Sequence, residues 1–482
     1  MQLETLLQKY FGYNTFRPGQ KEVIEQIISG KDTIALLPTG MGKSLCYQLP
    51  GYIFNKPVLI ISPLLSLMQD QVEQIKQFGE KRVVAINSFL HKEQKQQVLQ
   101  HLHRYRFIFI SPEMLMQEQV KRRLNQLEMS LIVIDEAHCI SQWGFDFRPD
   151  YLKIGEVIKD NRPPILALSA TATEKVLQDI RHFLKMNEPF EYIHSVDRPN
   201  LHYGKKRFQT KEEKMEWLYD HVSNTEGPGI IYTRSRKRTE EISSQLLERG
   251  LSVSSYHGGK DLEDRQFIQQ QFLEGTLDWI VATNAFGMGV HKENVRQIIH
   301  EVLPSNIPDY MQEVGRAGRD GKDAVAILLY CDGDEELARF IAAEELPNDA
   351  QIDLYEDYVS RNIQPKELIN DGILSETTFR VLDYWMTLYP VEQVKSIFRQ
   401  MINEKYKSVN EMLQIVKSEN CMREQLVHYF DQTLEMKPDH CCEQCGIDYK
   451  QLLIPRKRKK RVNYDYSWES RIRQILLGEN SI

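Results

Sequence analysis

Four short clusters of residues carry the chemistry needed to handle a nucleoside triphosphate. The first is Pro38-Thr39-Gly40-Met41-Gly42-Lys43-Ser44, between a β-branched run and a helix-forming stretch. A glycine turn there lets backbone N–H groups and a helix N-terminus cradle phosphate oxygens. Lys43 would reach the β- and γ-phosphates, and the Ser44 hydroxyl would hold Mg²⁺. The strict pattern has glycine five residues before Gly42, where this chain has Leu37. The second cluster, Asp135-Glu136-Ala137-His138, ends the apolar run Leu131–Ile134. The carboxyl end of a parallel strand is where such sheets bind ligands. Asp135 can anchor Mg²⁺ through water, and Glu136 can orient or deprotonate an attacking water.

The third cluster lies in Phe11–Gln20. Tyr13 and Arg17 could sandwich a planar base, and the Gln20 amide offers donor and acceptor to adenine. The plainer reading is an N-terminal cap packed on the core. The fourth cluster runs from Gln312 to Gly321 and holds Arg316 and Arg319, three residues apart and so on one helix face. Arginines offered by one lobe to a nucleotide on another stabilise the charge of a transferring phosphoryl group. Gly315 and Gly318 would allow close approach.

These clusters need a frame. Short β-branched runs alternate with helix-length polar stretches from about residue 30 to 330. The runs are Thr33–Leu37, Val58–Ile61, Phe107–Ile110, Leu131–Ile134 and Ile165–Leu168. A second set is Gly229–Tyr232, Ser252–Tyr256, Trp279–Ala282, Ile298–Val302 and Ala324–Tyr330. This rhythm predicts parallel sheets covered by helices, in two α/β lobes. The boundary falls near Asp197-Arg198-Pro199-Asn200, ahead of a charged linker, Lys205–Lys214. Residues 337–435 lack strand runs and read as helical. Four of the seven cysteines follow or close that stretch: Cys421, Cys441, Cys442 and Cys445. In a reducing compartment such a cluster reads as a metal site. The domains expected are 1–200, 201–336, 337–450 and a basic tail, 451–482, with Arg456–Arg461 as its charged core.

Length, at 482 residues, fits about three domains. With 61 Lys+Arg against 68 Asp+Glu, the net charge of −7 excludes a globally basic coat protein but leaves room for a local nucleic-acid groove. No apolar run reaches membrane-spanning length, and the N-terminus does not read as a signal peptide, so a cytoplasmic protein is expected.

Together the motifs resemble superfamily 2 helicases and, more narrowly, RecQ family DNA helicases. The narrow likeness rests on Phe11–Gln20, on Asp135–His138 running into Cys139–Pro149, on Ala285-Phe286-Gly287-Met288-Gly289 and on Arg316–Gly321. Ser62-Pro63-Leu64 and Ser169-Ala170-Thr171 match two further motifs, a strand-contacting turn and an ATP-to-DNA coupling turn. The resemblance implies two RecA-like lobes followed by a helical zinc-binding domain. It implies an ATP- and Mg²⁺-dependent 3′→5′ DNA helicase acting in recombination or repair. Tyr13, Arg17, Gln20 and Pro38–Ser44 would bind ATP. Lys43, Asp135, Glu136, Gln312, Arg316 and Arg319 would serve catalysis, Arg319 being the stronger finger. Ser44 and Asp135 would hold magnesium.

Gln142–Arg148 crowds Trp143, Phe145 and Phe147 next to the acidic pair, either as a buried plug or as a loop that stacks on bases. The family uses it to report strand binding, through Gln142, Trp143, Phe147 and Arg148 with Ser169 and Thr171. The resemblance makes Cys421, Cys441, Cys442 and Cys445 zinc ligands. The family often has a further cysteine where Asp448 stands, so the fourth ligand is Cys441 or Asp448, and the softer thiolate is preferred.

The chain departs from the family in two places. Pro347–Ser418 reads as a helical insertion, in which Lys366–Tyr384 is either a helix-turn-helix around Gly372 or plain helical packing. The stretch after Cys445 is too short for winged-helix and C-terminal accessory domains, which reads as a short form. Arg456–Arg461 is either a phosphate contact or a solvated tail. Expected partners are single-stranded and tailed duplex DNA, with single-strand-binding and recombination proteins, around a nucleoid-associated monomer. Two rival readings are an RNA helicase or non-unwinding translocase, and a DNA-binding scaffold with a degenerate site.

Overall fold

The computed structural model describes residues 2–63, 65–87, 90–143, 149–157, 162–284, 286 and 292–456, without the side chains of 66, 142, 143 and 149. Leu64, Phe145, Phe147, Arg148, Ala285, Gly287–Gly289 and the run from Lys457 lie outside the described residues, as do the side chains of Gln142 and Trp143.

The first sheet comprises β1 (Thr33–Leu36), β2 (Val58–Ile61), β3 (Val83–Ile86), β4 (Phe107–Ile110), β5 (Leu131–Ile134), β6 (Ile165–Ser169) and β7 (Phe190–Ile193). Its order is β3-β4-β2-β5-β6-β1-β7, with every pair parallel. The second comprises β8 (Leu201–Phe208), β9 (Gly229–Tyr232), β10 (Val253–Tyr256), β11 (Trp279–Ala282), β12 (Gln297–His300) and β13 (Ala324–Cys331). Its order is β10-β11-β9-β12-β13-β8, again all parallel. The central strands β1, β2, β5 and β6 of the first sheet and β9, β11, β12 and β13 of the second bury both faces, as parallel sheets require, while the edge strand β7 is only half-buried. Along β1, Ile34 and Leu36 enter one core cluster while Ala35 and the following Leu37 enter the other.

Three of these strands were not foreseen, and one overturns the linker reading. Lys205 is part of β8, and Lys214 lies in the helix Lys211–Asn224. Both are buried because each charge has a partner. Lys205 Nζ donates to the carbonyls of Ile415 (3.0 Å) and Ser418, and Lys214 Nζ lies 2.7 Å from Asp334 Oδ2. A charged run is a linker only when its charges have no internal partner, and this one has partners more than a hundred residues away.

The stretch after β13 is helical, as expected: Asp334–Ala343, Asp349–Ser360, Glu367–Asn370, Glu376–Leu388 and Val391–Lys417. The four-residue helix Glu367–Asn370 and the 13-residue helix Glu376–Leu388 flank Gly372, whose φ of 68° is left-handed. The expected insertion is not a separable appendix. The 27-residue helix Val391–Lys417 buries Val394 and Phe398 in the core of the helical region. Its second half puts Val409, Met412, Ile415 and Val416 into the second lobe's core.

Candidate nucleotide site between the lobes

Sheet order explains how residues far apart in sequence meet. β6 lies between β1 and β5, so the turns leaving all three strands share one edge. Register fixes them: Leu36 pairs with Ser169, and Ile134 with Ala167. Ser169 therefore sits between the glycine loop and the acidic pair. Leu37 N–H donates to Ser169 O at 2.9 Å, and Ala137 N–H to Leu168 O at 2.7 Å.

The loop after β1 needs its glycines, with φ of 88° at Gly40 and 73° at Gly42. Ser44 then stands directly before the helix Leu45–Ile53, its hydroxyl making no capping bond. Lys43 Nζ lies 3.3 and 3.5 Å from the Glu136 carboxylate oxygens. Glu136 itself has a φ of 49°. Left-handed backbone in a non-glycine residue is sparsely populated and concentrates at functional sites.

The two acids are driven apart. Burial pushes the Asp135 carboxyl up to about 7, and the neighbouring Glu136 charge adds to the effect. Burial pushes Glu136 the same way, but Lys43, His138 and Arg316 together hold it below the usual carboxylate range. Burial lowers His138, which faces Ser169 Oγ through Nδ1 at 2.9 Å. Ser169 Oγ in turn donates to Thr171 O at 2.8 Å. The acidic turn is thus hydrogen-bonded to the Ser169–Thr171 turn.

The N-terminal cluster also meets the loop. Arg17 Nη1 donates to Gly40 O. The Gln20 amide, expected to read a base, is turned inward: Nε2 donates to Met41 O (2.8 Å) and Gly42 O (3.1 Å), and Oε1 accepts from Arg17 N–H (2.9 Å). Tyr13 is 58% exposed, leaving its ring face open to solvent.

The second lobe closes the crevice. Thr39 Oγ1 donates to Gly315 O at 2.9 Å. A Cβ on Gly315 would come within 2.5 Å of Thr39 Oγ1, so a side chain there would displace the hydroxyl that bonds the two lobes. The Arg319 stem packs on Gly40, and burial first, then Arg316 and Arg198, push its guanidinium down to about 10. Arg316 is buried, and its Nε has no hydrogen-bond partner among the described residues. Arg316 directly follows Gly315, which accepts from Thr39 of the glycine loop, and a buried donor left open at that place suits an anionic ligand. Gln312 lines the same crevice with Pro38, Thr39, Thr171 and Arg198.

Arg198 was read only as part of a domain boundary. Its Nη1 donates to Gly315 O at 2.9 Å and its Nη2 to Gly318 O, which ties the joining segment to the arginine turn. No sequence spacing signals that contact across more than a hundred residues.

A second site candidate lies behind the second lobe. The sulfurs of Cys421, Cys441, Cys442 and Cys445 all lie within 4.8 Å of one another. Cys421 Sγ is 3.7 Å from Cys441 Sγ and 3.8 Å from Cys442 Sγ. Tetrahedral zinc with sulfur at about 2.3 Å requires sulfur–sulfur edges of about 3.8 Å. Asp448, the alternative fourth ligand, is otherwise engaged: its carboxylate accepts from Lys450 N–H (2.9 Å) and Gln451 Nε2 (3.0 Å).

Comparison with known proteins gives the class first. The DEAD/DEAH box helicase family matches residues 17–180, and the helicase conserved C-terminal domain matches residues 213–321. This is the two-lobed helicase engine. A Bacillus subtilis (strain 168) protein named probable ATP-dependent DNA helicase RecS is 42% identical over 486 residues, covering 98% of this chain and 97% of that protein. The Haemophilus influenzae ATP-dependent DNA helicase RecQ is 43% identical over 331 residues, 68% of this chain and 53% of that protein. The chain thus spans nearly all of the first and about half of the second. Two solved structures share the fold. The helicase MrfA bound to DNA is 20% identical with a TM-score of 0.58, over 70% of this chain and 52% of that one. Yeast (S. cerevisiae) Dbp5 bound to RNA and ADP BeF3 is 16% identical with a TM-score of 0.56, over 83% and 97%.

The chain belongs to the RecQ family of ATP-dependent DNA helicases. It is therefore an enzyme, with two RecA-like lobes and a helical region whose cysteine cluster is compatible with zinc. No helix among the described residues is long and apolar enough to cross a membrane.

Proposed function

We propose that the chain is a Mg²⁺-dependent 3′→5′ DNA helicase that translocates on single strands during recombination or repair. One observation carries this reading: Lys43 and Glu136 of the first lobe meet at 3.3 Å on the loop and turn that face the Gly315–Arg319 turn of the second lobe, where Thr39 Oγ1 donates to Gly315 O at 2.9 Å and the Arg319 stem packs on Gly40. In the proposed site the Pro38–Ser44 loop wraps the triphosphate and Lys43 neutralises its end. Ser44 and Asp135 hold Mg²⁺, which supplies charge neutralisation at the phosphates. Glu136 orients the attacking water. Arg316 and Arg319 stabilise charge from the facing lobe, with Gln312 beside them. Tyr13 and Arg17 take the adenine, and Gln20 shapes the loop beneath it.

The Ser169–Thr171 turn, hydrogen-bonded to His138, passes nucleotide state to the Gln142–Arg148 loop on the strand. Trp143, Phe147 and Arg148 of that loop contact DNA. Cys421, Cys441, Cys442 and Cys445 hold one Zn²⁺, with metal binding coupled to folding. The protein works as a cytoplasmic, nucleoid-associated monomer on single-stranded and tailed duplex DNA, alongside single-strand-binding and recombination proteins.

The test is unwinding of matched duplexes with a 3′ tail, a 5′ tail or an RNA tail, with ATP and Mg²⁺. Strand separation confined to the 3′ DNA tail is expected. Equal opening of the 5′-tailed duplex, or preference for RNA, would overturn the polarity or the substrate.

A further inference from the structure

The segment joining the lobes, residues 196–201, is gripped from behind by the stretch that follows Cys421. Arg423, in the helix Met422–Tyr429, is fully buried. Its Nη1 donates to Asp197 Oδ1 at 2.5 Å and to Arg198 O at 3.0 Å, and its Nη2 donates to Leu201 O. The guanidinium lies over the Tyr203 ring, 5.1 Å from its centroid. Gln432 Oε1 accepts from Val196 N–H at 2.9 Å. Asp431 Oδ2 accepts from Glu174 N–H at 3.0 Å, at the start of the first-lobe helix Glu174–Phe183. Ten residues thus hold the first lobe, the joining segment and β8 at once. Cys421 directly precedes the helix, its sulfur lies 3.7 Å from Cys441 Sγ, and Tyr203 N–H of β8 donates to Cys441 O at 3.3 Å.

The other side of the joining segment faces the arginine turn. Arg198 reaches the carbonyls of Gly315 and Gly318, and Asn200 Nδ2 donates to Gly318 O and Lys322 O, both at 2.8 Å. Gly315 directly precedes Arg316, and Gly318 directly precedes Arg319. The contacts run from Arg423 to Asp197-Arg198, then to Gly315 and Gly318, and so to the two arginines. Each link ends on backbone or on a buried carboxylate. A shift at Arg423 therefore moves main chain at the crevice instead of being absorbed by a flexible side chain.

We propose that Arg423, with Asp431 and Gln432 beside it, positions Arg316 and Arg319 for ATP turnover by fixing the joining segment through which Arg198 holds their turn. The cysteine-anchored helix is then part of the ATPase machinery. This rests on the reading above that those arginines serve hydrolysis.

The test uses the full chain as wild type, Arg423→Lys, Arg198→Lys, their double variant and Arg319→Ala. Each is checked for zinc content and thermal midpoint, then assayed for ATP turnover at saturating single-stranded DNA. Arg423→Lys keeps the charge but loses the two-pronged grip. Its kcat should fall about tenfold, with KM for ATP held within about threefold, as expected for a misaligned group. The double variant should be no worse than the more impaired single one, because both act through one path. Unchanged kcat in folded, zinc-loaded Arg423→Lys overturns the proposal, and so does full additivity. If Arg423→Lys loses zinc or fold, Gln432, which holds Val196 N–H of the joining segment, takes its place as Gln432→Ala, read the same way: a lower kcat supports the proposal and an unchanged one overturns it. Turnover retained in Arg319→Ala would instead sink the site assignment on which the proposal rests.

Discussion

The second lobe buries charge on two sides, and in opposite ways. On the crevice side, Arg316 Nε is without a hydrogen-bond partner among the described residues, and across the gap Lys43 meets Glu136 only at 3.3 Å. On the side facing the helical region, Lys214 sits 2.7 Å from Asp334, and both Arg423 Nη atoms are bonded. Asp334 also accepts from Cys331 N–H at 2.9 Å. The first set is unfinished as structure, which is what a site awaiting an anion requires. In the second set each charge has an opposite charge within 2.7 Å, although Arg423 Nε too lacks a hydrogen-bond partner among the described residues, and the set holds elements together. The difference separates charge kept for chemistry from charge kept for architecture, although both kinds are buried.

That contrast can be broken by substitution. Glu136→Gln or Lys43→Ala should lower ATP turnover by on the order of 10³-fold while leaving the unfolding midpoint near wild type. Persistent turnover in both would remove the crevice from the chemical side of the contrast. Stripping the metal should act the other way. Metal analysis of the purified chain should find about one zinc, and chelation should abolish cooperative unfolding of the region around Cys421. A zinc-free chain with an unchanged melt would leave the sulfur cluster as mere packing. Lys214→Met leaves Asp334 buried and unpaired, and denaturant unfolding should show a loss of about 3–5 kcal/mol. Adding Asp334→Asn should recover most of it, and a neutral single variant would show that the pair is not architectural. The smallest effect belongs to Ser169→Ala, which deletes one hydrogen bond to His138 and should reduce DNA stimulation of ATPase roughly fivefold. Undiminished stimulation would place the coupling elsewhere.

What the sequence revealed follows the same division. The glycine loop and the acidic pair were legible because each is a local pattern attached to a strand end, and the parallel sheet brings strand ends together. The cysteine cluster was legible because Cys441, Cys442 and Cys445 stand close in sequence, and the fold brings Cys421 to them so that all four sulfurs lie within 4.8 Å of one another. The placing of Gln20 beside the glycine loop was not legible, since nothing in Phe11–Gln20 shows that its amide would turn onto Met41 and Gly42. Lys205 and Lys214 were misread because a buried lysine looks like a solvent lysine until its partner is known. Arg423 and Arg198 were invisible. Arg423 meets Asp197 across 226 residues, and Arg198 meets Gly315 across 117, so no spacing rule joins them. The chemistry lies in motifs, while its alignment depends on contacts that only the folded chain creates.

The most direct test of this split site is ATP turnover by Arg319→Ala at saturating single-stranded DNA, with nucleotide affinity measured on the same preparation. Turnover should fall by roughly 10³-fold or more, with affinity for ATP changed only a few-fold, because the arginine acts on charge that develops during transfer. Turnover near wild type would contradict the account and leave the first lobe as the whole of the catalytic site.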